Sequence, residues 1–191
     1  SSVYGRNMQL PKDESMWLGP MTPYAASKLA AEGYVQAYAS AYNVPTTLLR
    51  FFNVFGPRQD PKSPYAAAVP IFIEKAVRGE PLGIFGDGAQ TRDFIYVKDI
   101  VGALAFAAAN PAVAGTYNVG YGRKMTVKEL AQEVIRLTGS TSAIEHKPER
   151  LGDVKHSLAS ADKLRAAGWS PRHTVAEGLD ATVAYFRSLK A

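Results

Sequence analysis

The chain has 191 residues, 47% of them hydrophobic, a formal charge of +5 and no cysteine. That length buries the core of one large domain or two small lobes, and the lack of thiols excludes a disulfide framework, a thiolate metal site and a cysteine nucleophile. Lys and Arg are dispersed in clusters no longer than a pair, which excludes the basic stripe of a nucleic-acid binder and suits a small anionic ligand such as a diphosphate.

Residues 1–5 read as the end of a buried strand, followed by a proline-bearing loop that closes on Thr22-Pro23, a helix cap and a first-turn proline. The predicted helix runs to about Tyr42, where Asn43 and Pro45 stop it. Tyr34, Val35, Tyr38, Ala39 and Tyr42 recur on it at helical spacing, a face for the core or for a contact between subunits. Thr46 to Phe52 is a β-branched and apolar run, the pattern of a strand covered on both faces.

A helix is expected from about Ala66 to Arg78, then a strand from Leu82 to Phe85 and a hairpin turn at Gly86-Asp87-Gly88. Phe94 to Val97 reads as a strand, Lys98 to Asn110 as an alanine-rich helix and Thr116 to Val119 as a strand. Thr126-Val127-Lys128-Glu129 is a capping box opening a helix to about Leu137. A short strand at Ala143 to Glu145 and two helices follow, one from about Ala161 to Ala167 and one behind a second capping box, Thr174-Val175-Ala176-Glu177. Alternating strands and helices predict an α/β fold with a largely parallel sheet. No stretch approaches the roughly 20 apolar residues of a membrane span. No leader opens the chain, and His146, His156 and His173 lack paired metal-ligand spacing. The expectation is a cytoplasmic protein without a metal.

Chemistry concentrates in the first helix. Tyr24 and Lys28 stand four residues apart, a rise of about 6 Å on one helix face. A cation held there favours the phenolate, which a tyrosine base needs because its ordinary pKa is about 10. Read alone, the pair also fits a packed ring beside a solvated ammonium. The glycine-rich turn that opens a dinucleotide-binding fold is absent from this sequence; Gly86-Asp87-Gly88 and Gly120-Tyr121-Gly122 lack its third glycine.

Three runs place the helix in context: Ser1-Ser2-Val3-Tyr4-Gly5, Pro23 to Glu32, and Leu49-Arg50-Phe51-Phe52-Asn53-Val54-Phe55-Gly56-Pro57-Arg58. Together they resemble the extended short-chain dehydrogenases/reductases, the NAD-dependent epimerase/dehydratase family, and most closely its nucleotide-sugar 4-epimerases. The run from Gly88 through Arg92-Asp93-Phe94 to Asp99 resembles a further long motif of that family. The resemblance implies the second half of a doubly wound, Rossmann-type parallel sheet plus a small α/β substrate-binding lobe, with the first four strands outside this sequence. Residues 1–60 and 94–120 would belong to the NAD-binding part, and 61–93 and 121–191 to the substrate lobe.

It also implies roles. Tyr24 and Lys28 would be catalytic and, with Phe51, would contact NAD. Ser1 and Ser2 would neighbour the hydroxyl donor to the sugar, although a capping or loop role serves them equally. Two hydroxyls replace the Asp-Glu pair of the sugar-nucleotide dehydratases. Asn53 would grip the diphosphate, or else satisfy its own loop. Phe85 would flank the uracil. Arg92 would clamp a phosphate through bidentate bonds, or pair with Asp93. Arg150 would add a second phosphate contact, supported by Asp153, or be a solvated loop charge. Ser157 is small enough to tolerate an N-acetyl group beside the sugar. The implied activity is 4-epimerisation of a UDP-hexose through NAD, with little turnover by the isolated chain and with self-association, a homodimer or higher. A related decarboxylase or reductase, a non-catalytic nucleotide-sugar module and an oligomerisation element remain as alternatives.

Overall fold

A single extended segment, Thr47 to Phe55, carries the fold. The computed structural model describes residues 1–63, 67–149 and 154–189. Its first half contains a 3-10 helix at Ser2–Tyr4, α1 at Pro23–Tyr42, β1 at Thr47–Phe51, β2 at Asn53–Phe55 and α2 at Ala68–Arg78. After it come β3 at Leu82–Phe85, β4 at Thr91–Tyr96, α3 at Val97–Ala109 and β5 at Gly115–Val119. The remainder holds β6 at Lys124–Thr126, α4 at Val127–Thr138, β7 at Ile144–Lys147, α5 at Asp162–Ala166 and α6 at Val175–Ser188.

Side chains alternate along a strand. On β1, Leu49 and Phe51 pack against Ile95, Ile100, Tyr117, Val119 and Trp169, while Arg50 faces the other way, toward α1. β1 pairs in parallel with β5, the Phe52 N–H donates to the Val119 carbonyl at 3.0 Å, and β2 then pairs in parallel with β4. The segment therefore leaves one neighbour for another at Phe52, and Asn53 stands at the changeover. β6 adds antiparallel to β4, and β3 pairs in parallel with β7. Three of these four pairings are parallel, as the alternation of elements predicts.

The main core lies between these strands and α2, α4 and α6, around Phe55, Phe72, Ile73, Leu82, Phe94, Leu130 and Leu179. Gly178 lets α6 approach closely, since a Cβ there would lie 2.8 Å from Phe55 and 2.9 Å from Tyr96. Both predicted capping boxes form, at Thr126 with Glu129 and at Thr174 with Glu177.

Two expectations change, and a third narrows from core or subunit contact to a face outside the core. Residues 1–5 are a 3-10 turn rather than a strand end: Tyr4 and Gly5 N–H groups donate to the Ser1 and Ser2 carbonyls, and Gly5 takes φ 35. Val3 and Tyr4 are apolar because they are buried against Phe52 and Ala159, not because they alternate. The Gly86-Asp87-Gly88 turn makes no hairpin, because β3 and β4 belong to different sheets and Gly88 instead accepts from the Lys128 N–H at the start of α4. The aromatic face of α1 is outside the core: Tyr34, Tyr38 and Tyr42 are 71%, 63% and 68% exposed.

The segment from 154 to 160 is tied down at three places. Thr91 N–H donates to the Lys155 carbonyl and its own carbonyl accepts from Ser157. Lys12 N–H donates to the Leu158 carbonyl, and Ser160 donates to that of Lys12. Between them the Asp93 carboxylate, fully buried, accepts from the N–H groups of Tyr121, Gly122 and Ala159 at 2.9, 3.0 and 3.0 Å.

Burial pushes the Asp93 carboxyl up from 3.8 to about 6, against the pull of those three donors and of Arg165. A carboxyl raised on folding contributes most below its unfolded pKa and loses that contribution as pH rises through the folded one. The stability of the native chain relative to Asp93→Asn is therefore expected to fall by about 3 kcal/mol between pH 4 and pH 7, two pKa units at about 1.4 kcal/mol each. Urea unfolding of both proteins across that range checks it, and parallel pH profiles would contradict it.

Candidate functional site

Two adjoining cavities gather most of the residues singled out by sequence. The first, about 170 Å³, is lined by Ser1, Ser2, Asn53, Arg92 and Ser157, together with Tyr4, Gly5, Lys12, Val154 and His156. Distant parts of the chain meet here because β2 ends its partner change at Asn53 and pairs it with Phe94 of β4. The carboxyl ends of parallel strands leave such crevices in open α/β sheets.

The Asn53 Oδ1 is buried without a hydrogen-bond partner. A buried acceptor left unmatched costs about 1–3 kcal/mol, so its place in a cavity marks a position for a ligand donor. Arg92 Nη1 donates to the carbonyls of Thr91 at 3.0 Å and Lys155 at 3.3 Å, which fixes the guanidinium beside the 154–157 segment. Its neighbour Asp93 is committed to three backbone N–H groups. Thr91 Oγ1 lies 3.1 Å from His156 Nδ1 and thereby sets the imidazole at the mouth of the same cavity.

The second cavity, about 250 Å³, is lined by Phe85, Gly86, Asp87, Ala89, Gln90, Glu149, Lys155 and His156. His156 borders both. Phe85 ends β3, and the Gln90 amide donates to its carbonyl at 2.9 Å, holding the turn open over the ring. An aromatic wall with amide and carboxyl groups around it suits a flat heterocycle, whereas the first cavity offers hydroxyls, an amide and cations.

Tyr24 and Lys28 do not line either cavity. They lie at the exposed start of α1, where Thr22 Oγ1 accepts from the Ala25 N–H and Pro23 occupies the first turn. The Lys28 Nζ sits 5.4 Å from the Tyr24 ring centroid, so the i, i+4 spacing does bring the cation to the phenol. Tyr24 is 45% exposed. A hydroxyl and an ammonium presented outward suit the ribose and ring end of a dinucleotide; this sequence contains no pyrophosphate-binding glycine turn. Phe51 packs its side chain into the core around Ile95 and Trp169, and its carbonyl accepts from the Ser1 nitrogen at 2.8 Å. Arg150 and Asp153 lie outside the described residues.

Two further features carry no mark in the sequence. One is the buried pair of Arg50 and Glu32, joined by hydrogen bonds of 2.5 and 3.0 Å, with Arg50 also donating to the Tyr4 hydroxyl at 2.9 Å. Glu32 stands four residues beyond Lys28, a spacing that suggests a helix-surface pair rather than a partner on a strand. The other is Lys12, 4% exposed on an irregular loop, where no periodicity announces burial. Burial lowers its pKa. Among the described residues, no group of three His, Asp or Glu side chains could hold a metal, and no helix is long and apolar enough to cross a membrane.

The chain resembles known nucleotide-sugar epimerases along nearly its whole length. The chain is 39% identical over 189 residues to the UDP-glucose 4-epimerase of Mycolicibacterium smegmatis, covering 98% of this chain and 60% of that one. A structure of a UDP-N-acetylglucosamine 4-epimerase from Methanobrevibacter ruminantium in complex with UDP-N-acetylmuramic acid superposes with a TM-score of 0.94 at 41% identity, over 99% of this chain and 61% of that chain. The UDP-glucose 4-epimerase of Thermotoga maritima with UDP-glucose gives a TM-score of 0.93 at 38% identity, over the whole of this chain and 62% of the other. The chain thus spans about 60% of the length of these relatives. A family model matches residues 1–120, and with it the chain belongs to the NAD dependent epimerase/dehydratase family.

Proposed function

We propose that the protein carrying this chain is a UDP-hexose 4-epimerase and that this chain supplies its catalytic helix and most of its nucleotide-sugar site. The observation that carries the reading is the convergence of Ser1, Ser2, Asn53, Arg92 and Ser157 on one cavity that meets the Phe85 cavity at His156. The diphosphate occupies the first and the uracil the second, and the hexose reaches from the first past Ser1 and Ser2 toward α1, which packs on the Ser2–Tyr4 turn. Residues 1–60 and 94–120 then form the cofactor side, and 61–93 and 121–191 the substrate side.

Tyr24 takes the proton from the sugar 4-hydroxyl and returns it at the end, with the Lys28 charge favouring the phenolate. Arg92 and the Asn53 amide nitrogen hold the diphosphate while the hexose turns over, so that C4 presents its opposite face to the cofactor side and O4 stays within reach of Tyr24; the Asn53 Oδ1 is left to accept from a ligand hydroxyl. Ser1 and Ser2 border the sugar, and Ser157 leaves room beside it for an N-acetyl group. Tyr24 and Lys28 would hold the nicotinamide end of NAD, which when bound supplies the reversible oxidation that C4 needs. The Ser1-Ser2 pair, where dehydratases carry an acid and a base, favours epimerisation over loss of water. The isolated chain, lacking a pyrophosphate cradle in its sequence, has little or no turnover.

The exposed Tyr34, Tyr38 and Tyr42 of α1, with Val101 and Leu104 of α3 also exposed, support a homodimer or higher assembly. Sedimentation in dilute buffer is expected to give a species larger than one chain; a single monomer boundary would contradict this. In the whole protein, Tyr24→Phe is expected to lower kcat by 10²- to 10⁴-fold with KM for the UDP-sugar within a few-fold of native. Steady-state kinetics with product analysis checks it, and a variant that keeps more than a tenth of native kcat would sink the role of Tyr24.

A further inference from the structure

Tyr24, Lys28 and Glu32 follow one another at four-residue steps along α1. At about 100° per residue, each step turns the side chain about 40° around the axis, so Glu32 lies beside Lys28 on the flank nearer β1. Side chains at this spacing meet across the helix surface, and opposite charges there attract. The sequence thus offers the Lys28 ammonium two partners, a phenol one turn back and a carboxylate one turn on. A carboxylate on that ammonium offsets the positive charge that favours the Tyr24 phenolate.

The structure gives Lys28 the phenol and withholds the carboxylate. The Lys28 Nζ lies 5.4 Å from the Tyr24 ring centroid, and among the described residues it makes no ion pair. Both Glu32 oxygens accept from Arg50 instead, Oε1 from Nη2 at 2.5 Å and Oε2 from Nε at 3.0 Å. The two side chains are under a tenth exposed. A bidentate guanidinium occupies both oxygens in one plane. Its own orientation is fixed from the far side, where Nη1 donates to the Tyr4 hydroxyl at 2.9 Å and that hydroxyl donates to Asn118 Oδ1 at 2.7 Å. Asn118 is the register partner of Arg50 on β5. The guanidinium is therefore held by the sheet, and Glu32 is held by the guanidinium, away from the lysine one turn along its own helix.

We propose that Arg50 is a positioning residue for the proton transfer: by keeping the Glu32 carboxylate on β1, it leaves the Lys28 charge to act on the Tyr24 oxygen. The proposal rests on the reading of Tyr24 as the base and adds a residue that acts on it through Glu32 and Lys28.

Steady-state kinetics of the whole protein with Arg50→Met, Glu32→Gln and the two combined tests it. Both single changes break the same ion pair, so lost anchoring of α1 alone lowers kcat equally in the two and leaves the double variant no better than either. The proposal expects Arg50→Met, which frees a carboxylate, to lower kcat at least about tenfold more than Glu32→Gln, about one pKa unit on the phenol. KM for the UDP-sugar shifts alike in both, and the double variant regains that tenfold. Equal losses in the single variants, or no recovery in the double, overturn the proposal. Should Arg50→Met fail to fold, Ala31→Glu and Ala31→Gln decide the matter. Ala31 is exposed and three residues from Lys28, so the glutamate supplies a free carboxylate without touching the ion pair. Its kcat is expected several-fold below that of Ala31→Gln, and equal values overturn the proposal. Tyr24→Phe in the same assay separates the two readings. If it keeps more than about a tenth of native kcat, the base assignment and this proposal fall together; if it is inactive while Arg50→Met and Glu32→Gln lose equally, this proposal falls alone.

Discussion

The geometry of α1, which carries Tyr24 and Lys28, depends on one buried ion pair. α1 is nearly bare of buried apolar side chains: only Ala25 and Glu32 are buried on it, with Leu29 partly covered by the Val3, Tyr4 and Phe52 cluster. What fixes it to the sheet is Glu32 against Arg50, both side chains under a tenth exposed. The guanidinium also bonds the Tyr4 hydroxyl, which donates to Asn118 at 2.7 Å, and the Asn118 amide reaches the carbonyls of Lys12 and Ser160. Removing one partner from such a pair costs about 3–5 kcal/mol because it strands the other charge in the interior. The pair is a weak source of net stability but a strong constraint on position. It fixes α1, and so Tyr24 and Lys28, relative to β1, β5 and the 158–160 segment.

The same strand that anchors the helix also opens the cavity. Arg50 ends its side chain under α1, Phe51 turns into the core, and two residues later Asn53 has changed partner to β4. β4 in turn presents three consecutive residues with separate tasks. Thr91 aligns the 155–157 segment, Arg92 reaches over it, and Asp93 clamps Ala159 and the turn at Tyr121 and Gly122 from below. Among the described residues the cavity lining carries Arg92 and Lys12 and no carboxylate, with Asp93 turned to backbone N–H groups. An anionic ligand is therefore favoured by the fold itself, through hydrogen bonds that cannot easily be redistributed.

Much of this was legible in the chain. Both capping boxes, the Tyr24–Lys28 spacing, the β1 run and the helices of the second half depend on local chemistry, and local chemistry is what a sequence displays. The cavity residues Ser1, Ser2, Asn53, Arg92 and Ser157 came from family resemblance rather than from any periodicity, and they do share one lining. The failures are tertiary. Val3 and Tyr4 looked like a strand because burial alone makes a residue apolar, and the Gly86-Asp87-Gly88 turn looked like a hairpin because turn residues do not reveal which strand comes next. β2 and β6 are three residues each, too short for alternation to appear. Lys12 and Asp93 are buried where nothing nearby in sequence shows that distant backbone groups will cover them.

The central claim is that the substrate half of an epimerase site is built within this chain, although the chain spans only about 60% of its relatives. A crystal structure of the chain soaked with UDP-glucose, without NAD, tests it most directly. The claim predicts the uracil against Phe85, the diphosphate at Arg92 and Asn53, and the hexose between Ser1, Ser2 and Ser157. Nucleotide bound elsewhere on the surface, or absent from both cavities at saturating concentration, would contradict it.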